Sequence, residues 1–258
     1  MKKKLKEFFT DFLNKKFLVS IIALMLVQAA LYWGVKLLQV DYHYINAAID
    51  SKIPFVPHFV YVYNMFYPAV LLTMYYVFCK DRKNYYKGVI AGILGYLVCD
   101  IIFIIYPTIM NRPIVDYNSL DWFTGLVLKI TYAADTPALN CCPSIHCLFC
   151  YQAIFSLCIS KKIKWKVKIP VSAFLFLIVL TTMLVKQHYF YDAVLALIIF
   201  IIMNIIVYSF KVYPKYTNKL KKKYNDDKEK RKTKKLIRRK NKRSTQTSWS
   251  FLLFFHQH

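Results

Sequence analysis

Apolar residues along this chain fall in long, nearly unbroken blocks, and the polar residues gather between them. The blocks run from Phe17 to about Leu38, Pro54 to Cys79, Tyr86 to Pro107, Ser144 to Ser160, Ile169 to Val185 and His188 to Phe210. Each is roughly 17–25 residues long, enough to cross a hydrocarbon core of about 30 Å as a helix. The pattern predicts an all-α fold: a polytopic membrane protein with six transmembrane helices forming a helical bundle. Lysines precede the first block, as in a signal peptide. Its apolar length exceeds the roughly 7–15 residues of such a segment and no small-x-small cleavage site follows, so it reads as a span.

Charge orients the blocks. The chain of 258 residues carries 37 Lys and Arg against 13 Asp and Glu, a net charge of +24. A balance this basic raises nucleic acid as a partner. The placement of the lysines argues against it, because they lie at the N-terminus, in the Lys80-Asp81-Arg82-Lys83 and Lys161–Lys168 turns and in the C-terminal tail. These are the cytoplasmic positions of the positive-inside rule, with both termini cytoplasmic. Residues 1–16 then form a basic segment whose Phe and Leu suit a helix on the inner surface, 17–210 a membrane domain, and 211–258 a basic tail. The tail either lies on anionic lipid head groups or extends as a solvated disordered segment. Its Trp249–Phe255 stretch is too short to span and suits the interface. A composition rich in Lys, Ile and Tyr points to a bacterial cell membrane.

The same orientation gathers a second set of residues at the outer face: Arg112, Ser144, His146, Lys186, His188 and Asp192. Arg112-Pro113 opens a long connection from Thr108 to Pro143, whose half-apolar stretch Asp121–Tyr132 suits the interface. Pro143 fits the first position of the fourth span. Lys186-Gln187 makes a tight outer turn. The seven cysteines have no regular spacing and most read as small hydrophobes; Cys141 and Cys142 fall in the outer loop, where pairing stays open.

Polar groups are expensive at membrane-length segments and mark function. His188 and Asp192 are four apart, so a helix through them presents both on one face. A carboxylate on one ring nitrogen fixes the tautomer and leaves the other lone pair free for attack. His146, at the start of the fourth span, has the position of a general acid toward a leaving alkoxide. Ser144, Arg112 and Lys186 supply donors and positive charge for a phosphate. The scheme calls for no metal and no cofactor. A zinc reading of Cys141, Cys142, His146, Cys147 and Cys150 lacks paired C-x2-C knuckles, and Cys147 and Cys150 enter an apolar span.

Pro143-Ser144-Ile145-His146, His188-x3-Asp192 and Arg112-Pro113 together resemble the type-2 phosphatidic-acid phosphatase superfamily, whose pattern is K-x6-R-P, P-S-x-H and S-R-x5-H-x3-D. The resemblance covers roughly Pro54 to Phe210. It implies a six-span fold with an extracytoplasmic site, where His188 forms a phosphohistidine, Asp192 orients it, His146 protonates the leaving group, and Arg112 and Ser144 hold the phosphate. Ile105 and Thr181-Thr182 depart from the pattern at two phosphate-binding cations, and Lys186 is the available replacement for one. The His-Tyr-x-x-Asp form at His188 to Asp192 is similar to the branch of inositol-phosphorylceramide and sphingomyelin synthases. The expectation is a membrane lipid-phosphate phosphohydrolase or phosphotransferase; the alternative is a non-catalytic lipid-binding membrane protein of the same fold with a weakened site.

Overall fold

The structure, a computed structural model, describes residues 15–37 and 41–209 together with Asp226, Glu229 and Thr233. The expected surface helix of the N-terminal segment, nearly all of the basic tail and the Trp249–Phe255 stretch lie outside the described residues. The chain divides into two units, Met1–Ser209 and Phe210–His258. In the second, the Thr233 hydroxyl donates to the Glu229 carbonyl at 2.9 Å.

The described residues of the first unit are helical, without a β-strand; two isolated bridges pair His43 with Thr108 and Ile109 with Leu139. The helices are α1 (Lys15–Lys36), α2 (Val60–Asn64), α3 (Phe66–Lys80), α4 (Arg82–Ile105), α5 (Trp122–Ala133), α6 (Ile145–Ile159), α7 (Trp165–Leu184) and α8 (Phe190–Ser209). Among the described residues, four stretches are long and apolar enough to cross a membrane: Pro57–Lys80, Arg82–Ile105, Trp165–Leu184 and Phe190–Ser209. They mark a membrane protein. Ile145–Ile159 is apolar but shorter.

Several boundaries differ from the sequence pattern for local reasons. The second block is broken at Met65, where α2 gives way to α3. Pro68 lacks the N–H that would bond the Asn64 carbonyl and falls in the first turn of α3, where a helix tolerates proline best. Pro143 does not occupy the first turn of α6. The Ser144 hydroxyl accepts from the Cys147 amide and makes Ser144 the N-cap, which puts Pro143 ahead of the helix. His188 also lies ahead of its helix, since α8 begins at Phe190.

Short α6 is the centre of the bundle and packs against α3, α4, α7 and α8. Its core partners include Cys99 and Phe103 of α4, Ile178 of α7 and Ala196 of α8. Gly88 of α4 faces Ser156 so closely that a methyl group there would collide with the serine hydroxyl. Small residues at such crossings let helices approach without the hydrophobic drive available in water. Hydrogen bonds bind the same crossing: Gln152 and Asn204 donate to each other at 3.3 and 2.8 Å, Asn84 donates to the Ser156 carbonyl at 2.8 Å, and Tyr208 donates to Asn84 at 2.7 Å.

The two ends of the bundle differ in chemistry. At one end the basic turns meet, where Asp81 accepts from Ser160 at 3.0 Å and pairs with Lys162 at 3.4 Å. At the other, residues 41–56, the 106–144 connection and the 185–189 turn fold over one another; the His43 amide donates to Pro107 and the Val56 amide to Leu184. There α5 is capped by Asp121, which accepts from the Thr124 amide at 3.0 Å. Trp122, Phe123, Leu126 and Ile130 of α5 are exposed.

Candidate active site

His188 is positioned by the way α7 stops. The Lys186 amide donates to the Met183 carbonyl and the Gln187 amide to the Thr182 carbonyl, a Schellman cap. The cap requires a left-handed residue after Val185, and Lys186 supplies it with φ of 50°. The His188 amide then donates to the same Thr182 carbonyl at 3.1 Å, tying the histidine backbone to the end of α7.

The ring is held from the opposite side. His188 Nδ1 stands 2.9 Å from the Cys141 carbonyl and 3.2 Å from Asp192 Oδ2. Both are acceptors, which assigns the proton to Nδ1 and the lone pair to Nε2. Asn140, with φ of 59°, turns the chain ahead of that carbonyl; Asn is one of the few residues that adopts this region routinely. Asp192 accepts in addition from the Tyr189 amide at 2.8 Å and is almost fully buried. The helical face expected from the four-residue spacing is therefore not what joins His188 to Asp192. The pair forms because Asp192, in the first turn of α8, reaches back over the turn that precedes the helix.

His188 Nε2 lies 3.2 Å from His146 Nδ1, and His146 Nε2 lies 3.1 Å from the Tyr63 hydroxyl. The four side chains form one directed chain: Tyr63 donates to His146, His146 to His188, and His188 to Asp192. Phe66 and Tyr63 pack on the His146 ring, with centroids 4.6 and 5.2 Å away. Both histidines line a cavity of about 400 Å³ with Tyr32, Tyr63, Tyr67 and Asp135.

The three other expected site residues are engaged elsewhere. Ser144 is fully buried with its hydroxyl in the α6 cap. Lys186 turns away, its Nζ donating to the carbonyls of Ile53 at 2.6 Å and Asp50 at 3.3 Å. Arg112 is close, since it donates to Gln187 beside His188 at 2.5 Å, but its fork is filled by Asp135. It donates to the Asp135 carbonyl at 2.8 Å and to Oδ2 at 3.0 Å, over the Tyr132 ring.

Asp135 is a hub that the motifs did not point to. Besides Arg112 it pairs with Lys36 at 3.0 Å and accepts from the Tyr32 hydroxyl at 2.8 Å. The side chains of Lys36 and Arg112 are only 7% and 10% exposed, against 31% for Asp135. One carboxylate balancing two cations leaves this corner of the cavity with one excess positive charge. A sequence signal for Lys36 existed: it is a lone lysine at the end of a span whose basic residues otherwise lie at its start. Tyr63 and Asp135 carry no such signal.

Cys141 and Cys142 are free and buried, as are Cys99, Cys147 and Cys150, while Cys79 and Cys158 are exposed. Burial, and then the nearby Asp192 carboxylate, pushes both the Cys141 and the Cys142 thiol well above the usual range. A thiol held protonated is a poor nucleophile. Chemically, the arrangement offers an oriented imidazole lone pair, a second imidazole in contact with it and, around Asp135, two cations to one carboxylate. Comparison with family models, curated proteins and solved structures finds no match to this chain.

Proposed function

We propose that the chain is a membrane lipid-phosphate phosphohydrolase or phosphotransferase of the type-2 phosphatidic-acid phosphatase kind, working through a phosphohistidine. The observation that carries this reading is the contact between His188 and His146, 42 residues apart in sequence, with 3.2 Å between ring nitrogens and a buried carboxylate behind one ring.

His188 Nε2 attacks phosphorus as the bond to the lipid oxygen breaks. His146, carrying both ring protons once an anionic phosphate lies against it, gives one to the departing alkoxide. Water or an alcohol, deprotonated by His146, then breaks the phosphorus–nitrogen bond and restores both rings. Lys36 and Arg112 together outweigh the charge of Asp135 and favour developing negative charge on the phosphate. Hydrolysis and transfer differ only in which acceptor reaches the cavity.

In this reading α1 and α6 join the four stretches named above to make six, with both termini and the basic turns cytoplasmic and the histidines extracytoplasmic. The basic tail faces anionic lipid, and the cell membrane is a bacterial one. The test is release or exchange of phosphate by the purified chain from phosphatidic acid, phosphatidylglycerophosphate, polyprenyl diphosphate and head-group donors, with and without diacylglycerol or inositol as acceptor. A radiolabelled phosphoryl group should be trapped as an acid-labile, base-stable adduct. Turnover that survives His188→Ala would end the proposal.

A second reading, a non-catalytic lipid-binding protein of the same fold, is favoured by the engagement of Arg112, Ser144 and Lys186 in internal bonds. A chain of that kind binds lipid phosphate without ever becoming labelled.

A further inference from the structure

Tyr63 touches the reacting pair, and the reaction proposed above gives it no task. It is buried, lines the histidine cavity, and places its hydroxyl 3.1 Å from His146 Nε2. Short α2, which carries it, is tied to α5 through residues on either side. Tyr61 and Thr124 share a hydrogen bond of 2.7 Å, and Asn64 donates to Thr131 at 2.9 Å. The Tyr63 ring packs in one cluster with Leu128 and Tyr132 of α5 and Val185 at the end of α7. A side chain already held this way loses little freedom when its hydroxyl bonds.

The two nitrogens of His146 have different partners. Nδ1 faces His188 Nε2, which bears a lone pair because the His188 proton is on Nδ1, so His146 Nδ1 carries a proton. Nε2 of His146 is then the acceptor, and the Tyr63 hydroxyl is its partner among the described residues. A general acid needs protons on both nitrogens, so in that state Nε2 changes from acceptor to donor. A buried N–H of a charged ring that finds no acceptor costs its full desolvation penalty. A phenol has a hydrogen to give and lone pairs to receive with, so Tyr63 serves both states. Its own hydrogen rotates away from the ring as the bond reverses. Phenylalanine has the same shape and does neither. With Nε2 covered in both states, Nδ1 is the nitrogen that passes its proton to the leaving alkoxide.

We infer that Tyr63 is a positioning residue of the reaction: it holds the His146 ring by Nε2 and reverses its hydrogen bond, from donor to acceptor, as that ring becomes charged. This rests on the function proposed above and adds a residue that no motif contains.

The test compares the purified full-length chain with its Tyr63→Phe variant on an alkyl and an aryl phosphate. A hydrogen bond to a charged ring is worth more than one to a neutral ring, and the difference corresponds to a fall of about 5–30-fold in kcat on the alkyl phosphate, with KM unchanged. The aryl phosphate, whose leaving group needs no proton, should slow by about twofold at most. A loosened site would slow both alike. A second measurement needs no variant at Tyr63 and decides the matter should that variant fail to fold. Nitrogen NMR of the wild-type chain with isotope-labelled histidine, assigned through a His146→Gln chain, should show His146 with Nδ1 protonated and Nε2 bare. Binding of a non-hydrolysable alkyl phosphonate should protonate both.

Equal slowing on the two phosphates, an unchanged kcat on the alkyl phosphate, or a bare Nε2 in the phosphonate complex would overturn the role of Tyr63. Each of these spares the catalytic reading wherever the wild-type chain releases phosphate and the His188→Ala chain does not. Failure of the wild-type chain to release phosphate from any substrate overturns the proposed function and the role of Tyr63 with it, whatever the spectra show.

Discussion

Replacing Asp192 by Asn isolates one function of the carboxylate. In many histidine–carboxylate pairs the carboxylate alone sets the tautomer, and its amide costs several orders of magnitude. Here Nδ1–H is also held by the Cys141 carbonyl at 2.9 Å, shorter than the 3.2 Å to Asp192. The tautomer should therefore survive Asp192→Asn. What is lost is the difference between a hydrogen bond to a charged acceptor, about 1.5–3 kcal/mol, and a neutral one, about 0.5–1.5 kcal/mol. That difference of about 1–2 kcal/mol corresponds to a fall of about 5–30-fold in kcat, with KM little changed. His188→Ala removes the nucleophile and should cost about 10⁴-fold or more. Initial rates of phosphate release from an alkyl phosphate, with melting curves in detergent as a folding control, measure both. An Asp192→Asn chain as inactive as His188→Ala would refute the role assigned to the Cys141 carbonyl, and an unchanged one would refute the role assigned to the carboxylate.

Three further outcomes follow from the same contacts. His146→Ala should slow release from an alkyl phosphate by about 10²–10⁴-fold yet leave an aryl phosphate much less affected, because a good leaving group needs no proton. Asp135→Asn leaves Lys36 and Arg112 without their shared anion. A fully buried pair costs about 3–5 kcal/mol to break, reduced here to about 2–3 kcal/mol because Asp135 is 31% exposed, and Lys36→Met in the same chain should recover part of it in denaturant unfolding. Lys186→Met removes the bonds to Asp50 and Ile53 and should lower stability by about 1–2 kcal/mol while KM stays constant, whereas a phosphate ligand at this position would raise KM.

Much of the scaffold was legible because long apolar blocks have few alternatives in lipid, and the four longest helices follow them closely. Boundaries shifted where a single side chain outweighed the pattern: Ser144 became the N-cap and left Pro143, expected at the first helical position, ahead of the helix, and Pro68 divided the second block. At the site, the four-residue spacing paired His188 with Asp192, although the pairing runs through a turn and not along a helix, and the shared position at one end of the spans gathered His146 with them. The positive residues were harder to read. Motif position says where Arg112 and Lys186 lie along the chain but not which acceptors their long side chains find. Lys186 is bound to carbonyls more than 130 residues away, and Arg112 meets an aspartate that no motif contains. Tyr63 and Asp135 reach the cavity only through tertiary packing, which one-dimensional spacing does not encode.

On the proposed mechanism, the fastening of His188 ties turnover to the thickness of the surrounding bilayer. Its amide is bonded to the last turn of α7, its imidazole to a carboxylate in the first turn of α8, and its reactive nitrogen faces the first turn of α6. Spans tilt to match the lipid around them, and a change in tilt between these three would alter the separation of the two rings. Turnover in vesicles should therefore peak at one lipid chain length and fall on either side of it, making the protein a gauge of its own solvent.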